Sequence, residues 1–138
     1  MYLLDTNTCI QFLNGKSLHV ANRLRAHSPS KLKLCSVVKA EMLYGAARSL
    51  HPERTRLLME GFFSHYESFP FDDAAAAFYG SVRQSLAVAG TPIGPNDLLI
   101  AAIALSRGMI LVSHNTREFS RVRDLVVEDW ELGPGAPV

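Results

Sequence analysis

Tyr2-Leu3-Leu4-Asp5-Thr6-Asn7-Thr8 decides the fold. Three apolar residues open the chain, and an acid stops them. A run this short and this apolar predicts a strand buried on both faces. Thr6, Asn7 and Thr8 then predict a helix start, since their side-chain oxygens accept the free N–H groups of a first turn. That helix runs to about Leu13, where Asn14-Gly15 ends it. Strand, acid, helix is the unit from which a doubly wound sheet is assembled.

The unit recurs along the chain. Residues 32–36, 67–71, 109–113 and 125–127 read as further strands, and Trp130 is placed behind the last of them. Helical spacing covers 18–27 and 37–49, where Val38, Met42 and Ala46 repeat every fourth position. Pro52 starts a helix to about Tyr66. Asp72-Asp73 starts a long Ala-rich helix that stops at Gly90, and Gly94-Pro95-Asn96-Asp97 opens one that continues through Arg107. Residues 115–119 read as a turn or short helix. The alternation predicts a parallel sheet covered by helices on both faces. Such sheets carry their sites beyond the carboxyl ends of the strands, at the switch point in strand order.

The 138 residues make one domain, expected over 1–131, with 132–138 as a disordered tail. Fourteen Lys and Arg face thirteen Asp and Glu, so the net charge of +1 excludes a uniformly basic coat for nucleic acid, although not a local patch. Cys9 and Cys35 lie in apolar contexts without a C-x-x-C spacing, which predicts buried thiols in a reducing compartment. No signal peptide is visible, and the apolar run 98–105 is far short of the ~20 residues of a membrane span. A cytoplasmic location follows as the expectation.

Chemistry is expected just past the strands. Asp5 ends the first, Glu41 lies early in the helix after the second, and Asp97 sits in the first turn of a helix apolar from 98 to 105. Each has a plain structural reading: a helix cap for Asp5, a solvated side chain for Glu41, and dipole complementarity for Asp97. Asn96 is expected to cap the helix and leave Asp97 free. After the fourth strand come Ser113, Asn115, Thr116 and Glu118, with oxygens and hydrogen bonds to give; His114 reads as structural or exposed. Carboxylates gathered at one sheet edge repel one another and are costly to desolvate. A hard divalent cation relieves that cost, and all-oxygen ligands suit Mg²⁺ or Mn²⁺. The chemistry implied is metal-assisted hydrolysis, commonly of a phosphodiester, by a metal-activated water. A dehalogenase-type phosphatase would need an acid where Asn7 stands, and a phospho-receiver would need an acidic pair after its first strand and a Lys after its last core strand.

Four motifs occur in order: residues 1–10 around Asp5, Ala40-Glu41-Met42-Leu43-Tyr44-Gly45-Ala46, Gly94 to Ala102, and Leu111 to Phe119, closed by Val127-Glu128-Asp129-Trp130. This set resembles the PIN-domain ribonucleases, and more narrowly the VapC toxins of type II toxin–antitoxin systems. The resemblance implies a PIN-like α/β/α sandwich around a parallel sheet of about five short strands. It implies Asp5, Glu41 and Asp97 as catalytic, metal-binding acids. The fourth acidic position of the family falls on Asn115, which keeps an oxygen but gives up a charge; Glu118 is then expected to supply the carboxylate. Thr6, Ser113 and, more weakly, Asn7 are expected to orient the acids. Implied too are Mg²⁺- or Mn²⁺-dependent cleavage of transfer or ribosomal RNA to 5′-phosphate and 3′-hydroxyl ends, a homodimer, possible larger assemblies with a VapB-type antitoxin, and neutralisation by it. Two alternatives stand beside this reading: a PIN module that binds RNA or antitoxin without cutting, and a DNA-directed nuclease of the flap type.

RNA contact needs positive charge around the acids. Arg23, Arg25, Arg117 and Arg121 are the foremost cations for it, with Lys31, Lys33 and Arg123 behind them. Tyr44 and Phe119 are the aromatics near the motifs, both expected in the core. The apolar helix carrying Leu57, Leu58, Met59, Phe62 and Phe63 has more hydrophobic surface than one sheet face needs, which motivates the dimer.

Overall fold

A computed structural model describes residues 1–133. The order is β1 (Tyr2–Leu4), α1 (Thr6–Leu13), α2 (Leu18–Ala26), a 3-10 turn over Pro29–Lys31, β2 (Leu32–Cys35), α3 (Ser36–Ala47), α4 (Pro52–Phe63), β3 (Glu67–Phe69), α5 (Asp73–Ala89), α6 (Pro95–Arg107), β4 (Ile110–Val112), α7 (Thr116–Phe119) and β5 (Val127–Glu128). Among the described residues the sheet has five strands in the order β3-β2-β1-β4-β5, all parallel. The chain winds outward from β1 through β2 to β3, then returns to place β4 on the other side of β1. The switch point is therefore the gap between β1 and β4.

Why the sheet is covered on both faces can be read from β2. Successive side chains of a strand point to opposite faces, yet Leu32, Lys33, Leu34 and Cys35 are all buried. The sequence of 32–36 alternates apolar and polar positions, as a strand with one solvent face would, but β2 exposes neither face. Lys33 is only 7% exposed, and its Nζ reaches out to Glu67 on β3 at 2.8 Å, directly across the strand pair. Its stem packs in the sheet layer while the charge meets an exposed carboxylate. The Lys33 charge is thus already engaged within the sheet.

The helices follow their expected faces. Val38, Met42 and Ala46 of α3 are buried, as their spacing predicts. Ile100, Ala101, Ala102, Ile103 and Ala104 of α6 are buried almost all round, with α5 packed along that helix. Gly90 and Gly108 end α5 and α6 in the left-handed conformation, at φ 71° and 62°, where a side chain would be strained. Trp130 closes the far side, stacked on His27 at 5.1 Å and donating its indole N–H to Glu128. Both cysteines are buried thiols, and burial pushes Cys35 up to about 11.

Several boundaries differ by a few residues. β5 lies at 127–128 instead of 125–127, because Leu111 and Val112 of β4 pair with Val127 and Glu128. α4 stops at Phe63, where Ser64 caps it, and β3 ends at Phe69. On α4, Met59, Phe62 and Phe63 face the core, while Leu57 and Leu58 are 61% and 64% exposed; Leu50, before the helix, is also exposed. Leu132 and Gly133 are half-buried, and Gly133 lies against His19; the rest of the expected tail, residues 134–138, falls outside the described residues.

Candidate active site

Asp5 leaves β1 at the switch point. Its backbone N–H donates to Val112 O of β4 at 3.0 Å, so the carboxylate is held between the two diverging strands. The helix-cap reading of this residue holds, and its second oxygen is also tied down. Oδ1 accepts from the N–H of Thr6 at 2.8 Å, which caps α1, and Oδ2 accepts from the hydroxyl of Ser113 at 2.7 Å. The side chain is buried. Burial pushes its pKa up, the Ser113 and Thr6 hydrogen bonds pull it down, and the charge of Glu41 pushes it up again.

Glu41 comes from the second turn of α3 and turns toward the same place. Its Oε1 accepts from the Thr6 hydroxyl at 2.7 Å, so Thr6 holds Asp5 with its N–H and Glu41 with its side chain. The solvated-glutamate reading fails for this reason.

Asp97 arrives on the first turn of α6. The helix is capped by the backbone of Gly94 without a side-chain hydrogen bond, and Asn96 is an exposed residue within the first turn. The expected Asn96 cap is therefore absent. The polar group at this helix mouth is Glu118, whose Oε1 accepts from the N–H of Gly94 at 3.1 Å. Asn115 lies between the acids, and its side-chain NH₂ donates to Asp97 at 3.0 Å and to Glu118 at 2.7 Å. Two carboxylates around one amide fix which end faces them. The Asn115 oxygen is the expected ligand from sequence; instead the donor end faces the acids. Of this pair Asp97 is raised and Glu118 lowered, so a proton at the pair favours Asp97. Burial, the adjoining Glu118 carboxylate and the charges of Asp5 and Glu41 raise Asp97 to about 7.

Asp5, Glu41, Asp97 and Glu118 are thus electrostatically coupled at one sheet edge, with oxygen as the only donor type. They are spaced more loosely than a closed cage. Among the described residues, the trio whose ligand atoms all lie within 4.8 Å is His114, Asp129 and Glu131. Loose carboxylates suit Mg²⁺, which dehydrates reluctantly and usually takes one or two carboxylates with water in its other positions. The His114 trio has a simpler account. His114 is exposed, its Nδ1 is 2.8 Å from Asp129 and 3.5 Å from Glu131, and these acids raise its pKa. Once protonated, the imidazole balances their charge. Sequence alone pairs His114 with neither acid; both stand more than a dozen positions downstream, and only the β4–β5 pairing brings them beside it.

The cations sort differently from expectation. Arg23 is engaged with Glu128 at 2.9 Å and lies over Trp130. Arg25 covers Phe12, in a hollow with Leu32 and Tyr66 at the amino ends of the strands, away from the acids. Arg121 donates to Pro92 O at 2.9 Å and its charge lowers Glu118, so it braces the loop before α6. Arg117 is exposed next to Glu118 and, among the described residues, makes no ion pair. Asn7 is exposed and makes no side-chain hydrogen bond among the described residues. Phe119 is core, as expected. Tyr44 is not; it stands 68% exposed on α3.

Comparison with known proteins places this geometry in company. Residues 2–125 match the PIN domain family. The tRNA(fMet)-specific endonuclease VapC of Salmonella typhimurium is 42% identical over 129 residues, 94% of this chain and 97% of that protein. Ribonuclease VapC2 of Haemophilus influenzae is 39% identical over the same shares. Among solved structures, DNA-bound VapBC from Salmonella typhimurium superposes with a TM-score of 0.88 at 42% identity, covering 94% of this chain and 97% of that one. VapBC2 from Rickettsia felis, bound to a DNA fragment from its promoter, gives 0.87 at 33% identity, covering 94% and 98%.

Proposed function

We propose that this chain, which belongs to the PIN domain family, is a metal-dependent endoribonuclease and the toxin of a VapBC-type pair. The observation that carries the reading is the gathering of Asp5, Glu41, Asp97 and Glu118 at the switch point, at enough electrostatic cost to raise Asp97 to about 7. Such a cost is sustained where a cation repays it. The all-oxygen donor set suits Mg²⁺, with Mn²⁺ able to replace it. Asp5 and Asp97 would hold the ion, and Glu41 and Glu118 would reach it directly or through water. When bound, it lowers the pKa of a water molecule and neutralises charge on the scissile phosphate.

The chain's own residues supply the positioning. Ser113 and the Thr6 N–H fix the two oxygens of Asp5, and the Thr6 hydroxyl fixes Glu41. Asn115 spaces Asp97 from Glu118 with its two N–H groups. Asp97 must give up its proton before it serves as a ligand. Exposed Arg117 stands at the rim for the RNA backbone. Products carry 5′-phosphate and 3′-hydroxyl ends.

The relatives of Salmonella and Shigella that are named tRNA(fMet)-specific, at 42% and 43% identity, make tRNA(fMet) the first substrate to test. The VapBC complexes among the structural relatives support a VapB-type antitoxin as partner. The outward Leu50, Leu57 and Leu58 offer apolar surface for protein contact, including a homodimer. No helix of the described residues is long and apolar enough to cross a membrane, and we place the protein in the cytoplasm, with its RNA. Expression of the wild type should arrest growth, and Asp5→Asn or Asp97→Asn should abolish the arrest. Full toxicity of both variants would refute the site.

A further inference from the structure

One face of α3 reaches past the acidic centre to Tyr44 and to Arg48, which follows the helix, and neither has a role in the site as described. Val37, Glu41, Tyr44 and Arg48 recur at helical spacing and form a stripe beside the buried Val38, Met42 and Ala46. The stripe borders an open groove of about 760 Å³ whose lining includes Thr6, Ile10, Val37, Glu41, Asn96 and Leu99. Thr6 and Glu41 belong to the acidic centre, so the groove is continuous with it. Its size falls within the ~300–1,000 Å³ of small-ligand sites.

Tyr44 and Arg48 stand at its rim. The ring is 68% exposed, and the Arg48 guanidinium lies 5.5 Å from its centroid. Among the described residues Arg48 makes no ion pair. Gly45 adds an independent observation. It sits inside α3, where glycine weakens a helix, and it lines the groove. A Cβ there would meet nothing within 4 Å, so packing within the chain does not require the glycine. Gly61 and Gly80 in α4 and α5 are equally open, but of the three only Gly45 lines this groove, where its missing side chain leaves the wall clear beside Tyr44.

We infer that Tyr44, Gly45 and Arg48 form a seat for one unpaired nucleobase of the RNA, next to the bond cleaved at the acidic centre. The inference rests on the ribonuclease reading above and adds to it a specificity-determining contact. Single-stranded RNA is held by bases stacked on aromatic and guanidinium planes, and this rim offers both. Residues three apart on a helix are neighbours, ~5–6 Å between Cβ atoms, so a base on Tyr44 leaves its phosphate within reach of Glu41. Asn96 supplies an amide at the groove edge for hydrogen bonds to the base. Ile10, Val37 and Leu99 line the groove beside Thr6, Glu41 and Asn96; what favours a base over a protein segment is the exposed Tyr44 ring with the Arg48 guanidinium over it.

The test measures binding separately from cleavage. A fluorescein-labelled single-stranded RNA is titrated in Mg²⁺ with Asp5→Asn protein, which holds RNA without cutting it, and Tyr44→Ala, Tyr44→Phe and Gly45→Ala are added to that background. Tyr44→Ala should weaken binding ~5- to 150-fold, the ~1–3 kcal/mol of one stacked base. Tyr44→Phe should bind within about twofold of its parent, since the ring remains. Gly45→Ala should melt at a higher temperature yet bind more weakly, an opposition that a purely structural role does not produce. Replacing the base next to the cut by an abasic residue should erase the difference in binding between the parent and Tyr44→Ala. Unchanged RNA binding by Tyr44→Ala overturns the seat, and so does a loss confined to antitoxin binding, which would make the groove a protein-docking surface. Failure of the wild type to cut RNA, with these binding differences intact, overturns the ribonuclease reading and leaves the seat standing.

Discussion

Removing the charge at Asp97 should stabilise the metal-free protein, although it destroys the site. Asp97 is raised from 3.8 to about 7, first by burial, then by the adjoining Glu118 carboxylate, then by the charges of Asp5 and Glu41. The sign follows from proton counting. Between pH 4 and 7 the folded state holds a proton here that the unfolded chain has released, so this contribution to stability is complete below about pH 4 and lost as pH rises through 7. At pH 8 the folded wild type carries the full repulsion, and Asp97→Asn does not. The gap sets an upper bound of ~4 kcal/mol at ~1.4 kcal/mol per decade. The side chain is only half-buried, and solvent screening reduces the expected gain to ~1–2 kcal/mol. Urea unfolding in EDTA at pH 5 and pH 8 measures it. The variant should be more stable than the wild type at pH 8, by several degrees in Tm, and the advantage should shrink at pH 5. Mg²⁺ should raise the wild type and leave Asp97→Asn nearly unmoved. A variant destabilised at pH 8 in EDTA, or stabilised by Mg²⁺ as strongly as the wild type, would refute the crowded-carboxylate reasoning.

Three further outcomes are expected. Ser113→Ala strips one donor from the buried Asp5 carboxylate and should cost ~1–3 kcal/mol in urea unfolding while lowering RNA cleavage. Arg117→Ala should weaken RNA binding and lower its log–log salt slope by about one, whereas Lys33→Met, at a buried position paired with Glu67, should leave RNA binding and its salt slope unchanged. At limiting Mg²⁺, cleavage should rise as pH passes through about 7, because Asp97 must lose its proton to hold the ion, and saturating Mg²⁺ should move that rise to lower pH.

Much of this is legible in the residues. Tyr2-Leu3-Leu4-Asp5 is a strand with an acid at its carboxyl end because three apolar side chains packed in the sheet cannot continue into a carboxylate without reaching an edge. The helix over 95–107 is equally plain from its unbroken apolar run. What stays hidden depends on pairing across the chain. Lys33 reads as an exposed cation until β3 places Glu67 across from it. Arg23 reads as free until Glu128 and Trp130 arrive from beyond position 125. β5 is only two residues long, and its register is set by β4, not by its own sequence. Asn115 shows the same limit: its residue type says it can offer an oxygen or an N–H, and only the position of two acids decides which. Tyr44 reads as core because tyrosine at helical spacing usually is, yet the adjacent stripe of Val38, Met42 and Ala46 already fills the buried face of α3.

The central claim is that Asp5, Glu41, Asp97 and Glu118 gather to cut RNA with a divalent cation. It is tested most directly by incubating the purified protein with tRNA(fMet) in Mg²⁺, in Mn²⁺ and in EDTA, and mapping the ends of the products. Cleavage leaving 5′-phosphates in either metal, none in EDTA, and none with Asp5→Asn or Asp97→Asn is the predicted result. Cleavage that survives EDTA, or that both variants retain at the wild-type rate, would contradict it.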